Sequence, residues 1–202
     1  MIKKGVVIVT WSGGVDQCKL LMHSLGSFRK YEFYLVINDV KNAPINWMLD
    51  LHRDYNMIVT EGDYFECGAI SAILEQTDLE EFILLQDTIE IKNPYFMEQM
   101  FNHEGQSVSF GPRFEHYLGK YRREVLESIE IPTVITKWEA IQQEIKFNNN
   151  YIQSDPREVI ALFEDFNDSN PDNRIERRWG RANLVLENKY LIKRKATWAN
   201  ET

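Results

Sequence analysis

Sulfur chemistry is almost absent from this sequence. Two cysteines, Cys18 and Cys67, cannot build a disulfide framework, and no Cys-x-x-Cys or Cys/His spacing suggests zinc. Both read as small buried residues of a reducing compartment. Long apolar runs are missing too. No stretch approaches the roughly 20 residues of a membrane span, so no integral membrane segment is expected. The start, Met1-Ile-Lys-Lys-Gly followed by Val6–Trp11, has too short an apolar run and no small-residue cleavage site after it. It reads as a first strand rather than a signal peptide, which makes a cytoplasmic protein the expectation. Positive charge is in deficit: 23 Lys+Arg face 31 Asp+Glu, for a net charge of −8. That balance argues against nucleic acid as a partner, because binding it needs a basic surface to displace phosphate counterions. Repeats and low-complexity segments are lacking, and the four histidines show no ligand spacing.

What remains is a globular composition, 44% hydrophobic and 27% charged, in 202 residues. The length suits one domain over residues 1–202, with no linker that separates independently folding parts. The first half alternates strands and helices. Gly5–Trp11 is a continuous β-branched run of the buried parallel type. Asp16 stands where a helix N-cap belongs, and Cys18, Leu21, Met22, Leu25 and Phe28 follow as one apolar stripe. Glu32–Asn38, Met57–Thr60 and Glu81–Gln86 read as further strands. Pro44–Tyr55, Tyr64–Gln76 (capped by Asp63) and a segment from Asn93-Pro94 through Phe101 read as helices. Four β-then-α units predict an α/β fold, a three-layer sandwich with a mostly parallel central sheet. Ligands of such sheets bind outside the carboxyl ends of the strands. Those ends carry Thr10-Trp11-Ser12, Asn38-Asp39, Thr60-Glu61-Gly62 and Gln86-Asp87. Further on, Ser107–Phe110 suits a strand. Gly119–Ile129, Lys137–Phe147 and Arg157–Phe166 suit helices, and Asn183–Ile192 is the last ordered element expected.

Charge is unevenly placed. Between Arg174 and Lys195 eight basic residues stand against Glu176 and Glu187, a surplus of +6, whereas residues 1–173 carry −13. A basic segment on an acidic body suggests a local anion site or a neutralising contact.

Four short motifs carry chemistry. Ser12-Gly13-Gly14-Val15-Asp16 resembles the phosphate loop of PP-loop ATP pyrophosphatases, although Gln17 stands at the family's final Ser; a tight turn is its plain structural reading. Leu84-Leu85-Gln86-Asp87-Thr88-Ile89 resembles the strand end that carries the DxD motif in GT-A glycosyltransferases, with Leu85 and Gln86 at the earlier positions of the motif. Tyr64–Ala72 resembles the Gly-bearing helix preceding it, with Gly68 at a position that costs roughly 1 kcal/mol relative to Ala. Lys120–Ile129 resembles the FRRxxLxxIG helix of inverting GT-A enzymes, followed by Thr136-Lys137-Trp138-Glu139 in place of the acidic ED pair. Apart from the Ser12–Asp16 loop, these motifs, taken with the first strand and Asp39 at the end of the second, stand in the family's order along residues 5–145. The resemblance implies a small GT-A-like, family-2-like nucleotide-sugar transferase.

That resemblance implies a function: metal-assisted transfer of a sugar from a nucleotide sugar to a glycan or other hydroxyl acceptor. Residues 1–105 would form the donor half, and 106–202 the acceptor half with the basic segment. Donor binding falls to Thr10, Trp11, Asp39, Glu61, Gly68, Gln86, Arg178 and Arg181. Asp87 would hold Mn²⁺ or Mg²⁺, and Glu139 would act as catalytic base. Two other readings stay open, an ATP-using PP-loop enzyme and an inactive GT-A-like nucleotide-sugar binding protein. The sugar, the acceptor and the oligomeric state are not legible.

Overall fold

β-Branched residues favour extended backbone, and a run of them without polar alternation needs cover on both faces. The strand β1 (Lys4–Trp11) meets this condition, with Val6, Val7 and Ile8 all fully buried. The computed structural model describes residues 2–11, 14–26, 28–38, 55–61, 65–110, 118–155, 159–162, 176–179, 183–187 and 189–196. The other strands of the parallel group are β2 (Glu32–Asn38), β3 (Asn56–Val59) and β4 (Glu81–Gln86). The sheet is completed by β6 (Ser107–Ser109), β7 (Gly119–Arg122) and β8 (Val159–Ala161), in the order β3-β2-β1-β4-β7-β6-β8. β1 runs parallel to β2 and β4, and β2 to β3, while β7 is antiparallel to both β4 and β6. The four strands expected to be neighbours are therefore neighbours, in a mostly parallel sheet.

Side chains alternate across this sheet and feed two cores. On one face Val6, Ile8, Leu35 and Leu85 meet Cys18, Leu21 and Leu25 of α1 (Val15–Leu25). Phe96, Met97, Met100 and Phe101 of α3 (Tyr95–Phe101) join them. On the other face Val7, Val36 and Leu84 meet Cys67, Ile70 and Ile73 of α2 (Phe65–Gln76). Phe147 and Tyr151 of α5 (Lys137–Ser154) pack there too, so the fold is a three-layer sandwich.

A second, antiparallel sheet has the order β5-β11-β10-β9. It is formed by β5 (Ile89–Ile91), β9 (Glu176–Trp179), β10 (Asn183–Glu187) and β11 (Leu191–Ala196). Because β5 begins three residues after Gln86, pairing with β11 brings the basic C-terminal segment to the carboxyl end of β4.

Several expectations need correction. Residues 119–129 do not form one helix: Gly119–Arg122 is a strand, followed by the single-turn α4 (Arg123–Leu126). Pairing with β4 outweighs the helical spacing of Tyr121 and Val125. Within Arg157–Phe166 the described residues form β8, paired with β6. α1 has Gly14 at its N-cap, and Asp16 lies in the first turn. The expected helix Pro44–Tyr55 lies outside the described residues except for Tyr55. No helix among the described residues is long and apolar enough to cross a membrane.

Candidate functional site

Strand order reverses at β1, which has β2 on one side and β4 on the other. The crevice rule for open α/β sheets places ligands at such a point. The backbone closes it tightly: the Asp87 amide donates to the Val9 carbonyl at 3.1 Å. Thr10 and Trp11 at the end of β1 thus stand beside Gln86 and Asp87 at the end of β4. Thr10 Oγ1 donates to Asp87 Oδ2 at 2.9 Å. Trp11 is 54% exposed, a large aromatic residue left open at the strand end.

The second glycine of the Ser12–Asp16 loop has a local explanation. A Cβ on Gly14 would collide with Asp87 Oδ2 and lie 2.8 Å from Thr10 Oγ1. Close approach of a carboxylate to the start of α1 therefore requires glycine here. Gly14→Ala is expected to push Asp87 off Thr10 and destabilise the fold by about 1–3 kcal/mol, the usual cost of overpacking. Urea denaturation measures this; a wild-type midpoint would contradict it.

Burial pushes the Asp87 carboxyl up to about 7. The Thr10 hydroxyl opposes that rise, Glu66 adds to it, and Lys193 and the Thr88 amide oppose it. Next to Asp87 runs a polar chain across three elements. Gln86 Nε2 donates to Glu66 Oε1 in the first turn of α2, and Lys193 Nζ of β11 donates to Gln86 Oε1. Lys193 is only 4% exposed. It shares the inward face of β11 with Leu191, two residues away.

One strand further out, Asn38 is buried at the end of β2. Its Nδ2 donates to the Phe65 carbonyl at 3.0 Å, and its Oδ1 accepts from Thr60 Oγ1 at 2.8 Å. Phe65 sits at φ 48°, a left-handed conformation unusual for an aromatic residue, and Asn38 fixes its carbonyl there. The ends of β2, β3 and the start of α2 are thereby tied together.

The expected donor residues divide. Thr10, Trp11, Gln86 and Asp87 come together at the switch point. Glu61 follows β3, exposed and two strands from β1. Gly68 lines a separate groove of about 390 Å³ with Val59, Thr60, Ser71 and Thr133. Arg178 lies on β9, which β10 separates from β11. Asp39 and Arg181 lie outside the described residues. Lys193 does not stand out within the basic segment; its spacing from Leu191 is the one signal the sequence offers for it.

Glu139 lies near the start of α5. Its Oε2 accepts the amides of Ile135 and Thr136 at 3.0 Å each, while Thr136 Oγ1 accepts the Glu139 amide, which makes a capping box. Those amides hold the carboxyl below its usual range. Tyr151, twelve residues later, accepts the amide of Arg122, the partner of Glu81 at the start of β4. Twelve helical residues rise about 18 Å, roughly the length of a six-residue strand. In addition, Thr133 and Val134 share the groove with Thr60 at the end of β3. The start of α5 therefore lies at the same end of the sheet as Asp87.

Arg122 and Arg123 belong to the opposite end. Arg122 pairs with Asp155 and Glu124, and Arg123 caps α2. The segment resembling FRRxxLxxIG is thus a structural clamp rather than a bridge between Asp87 and Glu139.

The expected Mn²⁺ or Mg²⁺ would need several oxygen ligands. Asp87 accepts from Thr10 and Thr88, Glu66 is engaged by Gln86, and an ammonium stands beside them. Among the described residues no group of three His, Cys, Asp or Glu side chains is placed to hold a metal ion. Among the described residues this donor set does not by itself hold a divalent ion.

Comparison with known proteins gives no matching family model and no matching curated sequence. Solved structures do match. S. aureus TarS 1-349 superposes with a TM-score of 0.57 at 14% identity, covering 80% of this chain and 58% of that one. TarS 1-349 in complex with UDP gives 0.53 at 14% identity over the same shares. A longer TarS structure gives 0.52 at 14% identity, covering 80% of this chain and 35% of that one. TarS is a GT-A-like glycosyltransferase, and the present chain has the GT-A-like fold. It spans little more than half the length of TarS 1-349.

Proposed function

We propose that this chain binds a nucleotide sugar in the crevice between the carboxyl ends of β1 and β4 and transfers the sugar to a hydroxyl acceptor. One observation carries the reading: the Thr10–Asp87 pair and the Gln86–Lys193 pair converge at the switch point of a GT-A-like sheet. That a neighbour of the same fold was solved with UDP supports it. Trp11 offers a ring for stacking on base or sugar.

In the transfer, the acceptor oxygen bonds to the anomeric carbon as its proton passes to a base. The bond from that carbon to the diphosphate breaks, and its electron pair leaves with the diphosphate. Glu139 is the proposed base. Like any exposed glutamate it is ionised at neutral pH, as a base requires, and its capping amides lower its pKa further and so weaken it as a proton acceptor. Negative charge grows on the leaving diphosphate, where fixed donors and cations stabilise it.

Release of UDP from a UDP-sugar, with water in place of the acceptor, tests this proposal without knowledge of the acceptor. The wild-type chain should release UDP. Glu139→Gln keeps an oxygen for both capping amides, so its melting temperature should hold while release falls by about 10²-fold. Equal release in that variant moves the base elsewhere. Tight UDP-sugar binding without release would favour an inactive binding protein, a reading supported by Leu85 and Gln86 in place of acids.

A further inference from the structure

The two departures from an acidic strand-end motif each have a local explanation. Leu85 is fully buried in the core, so its position does not face a ligand. Gln86 is half-buried at the end of β4, and its amide has a partner at each end: Nε2 gives to Glu66 and Oε1 takes from Lys193. A carboxylate at position 86 would leave Glu66 without this donor and set two like charges together. An amide is what a carboxylate on one side and an ammonium on the other require. Gln86 and Lys193 are thus matched to each other.

Lys193 is placed by backbone pairing. It stands opposite Ile89, two residues after Asp87, in the β5–β11 ladder. Burying an ammonium is costly without partners, and Lys193 is held here beside the acid that ends β4. A divalent ion at Asp87 would meet this charge at close range. Outside the basic segment the chain carries −13 over residues 1–173, so an anionic ligand needs local positive charge.

We infer that Lys193 is the built-in cation of the donor site, taking toward a bound nucleoside diphosphate the charge-balancing part that a divalent metal would otherwise take. This rests on the nucleotide-sugar reading above. Lys193 acts as a positioning and charge-compensating residue, and its consequence is that nucleotide binding does not depend on added metal.

Calorimetry of UDP binding to the full chain tests this, once with Mn²⁺ and once with a chelator. Wild-type affinity should be nearly the same in both. Lys193→Met should weaken binding by about tenfold or more in chelator, the scale of one charge-assisted contact. Lys193→Arg should retain most of the affinity. A wild-type affinity that rises about tenfold or more with Mn²⁺ would overturn the inference, on the scale of 1.4 kcal/mol per decade. So would wild-type affinity in a Lys193→Met variant that melts normally. If that variant does not fold, the wild-type comparison decides alone. Absence of UDP binding in both conditions would remove the nucleotide-sugar reading, and the inference with it, whereas metal-dependent binding would remove only the inference.

Discussion

Arg123→Ala is expected to cost about 3 kcal/mol or more, because one guanidinium satisfies the end of a helix. Its Nε donates to the Leu79 carbonyl at 2.7 Å. Nη1 donates to Leu74 at 2.9 Å and to Glu127 Oε1 at 3.1 Å. Nη2 donates to Thr77 at 2.8 Å and Ile73 at 3.3 Å. Every N–H of the side chain is therefore used, four contacts going to carbonyls at or just beyond the C-terminus of α2. The positive charge also complements the negative end of the helix dipole. At roughly 2–4 °C per kcal/mol for a chain of this size, the melting temperature should fall by about 6–12 °C. Arg123→Lys should recover little, since a point ammonium does not reproduce the planar fork. A loss under about 2 °C would contradict this account of the clamp, given the same scaling.

Asp87→Asn is expected to stabilise the protein at pH 8 and to change it little at pH 4. The folded carboxyl titrates near 7, raised chiefly by burial, against an ordinary value of 3.8. Below both values the folded and unfolded chains are equally protonated, and the group contributes no difference. Between them the unfolded chain has released its proton while the native state retains it. Native stability therefore falls as pH rises from about 4, and the loss saturates above about 7. A tenfold difference in proton affinity between the two states is worth about 1.4 kcal/mol, so the total is on the order of a few kcal/mol. Asparagine keeps an oxygen for Thr10 and carries no charge to desolvate. Urea midpoints for both proteins should diverge as pH rises from 4 to about 7 and keep a constant separation from there to pH 8. Parallel curves would show that Asp87 ionises normally in the folded state.

Much of this fold was legible because its strands are buried on both faces. Glu32–Asn38 and Glu81–Gln86 have the same limits in sequence and structure, each a run with few polar interruptions. The stretch 119–129 was not legible for a tertiary reason. Gly119 to Arg122 pair with β4, and Lys120 is fully buried there against Glu81 at 3.3 Å. A lysine inside a sheet reads from sequence as a solvated helix residue. The three-residue strand β8 is too short to leave a period, and it exists because β6 offers a partner.

The site was half legible. The strand-end rule pointed to Thr10, Trp11, Gln86 and Asp87, which the ends of β1 and β4 do bring together, because those two strands announce themselves. It did not separate them from Gly68, whose helix face looks away toward the groove beside Thr133. The basic surplus pointed to a cation folding back, and Arg178 with Arg181 looked best placed because arginine suits phosphate. Register in the β5–β11 ladder instead brings Lys193 to Gln86, and ladder register is not written in composition. Glu139 illustrates the converse: Thr136 and Glu139 spell a capping box, a local signal hidden beneath the resemblance to an acidic ED pair.

On the proposed function, a nucleoside diphosphate enters between the ends of β1 and β4. Titrating UDP into isotopically labelled protein and following backbone amide resonances tests it most directly. The largest shifts should fall on Thr10, Trp11, Gln86, Asp87 and Lys193. Shifts confined to Val59, Gly68, Ser71 and Thr133 would place the nucleotide in the outer groove and contradict the claim.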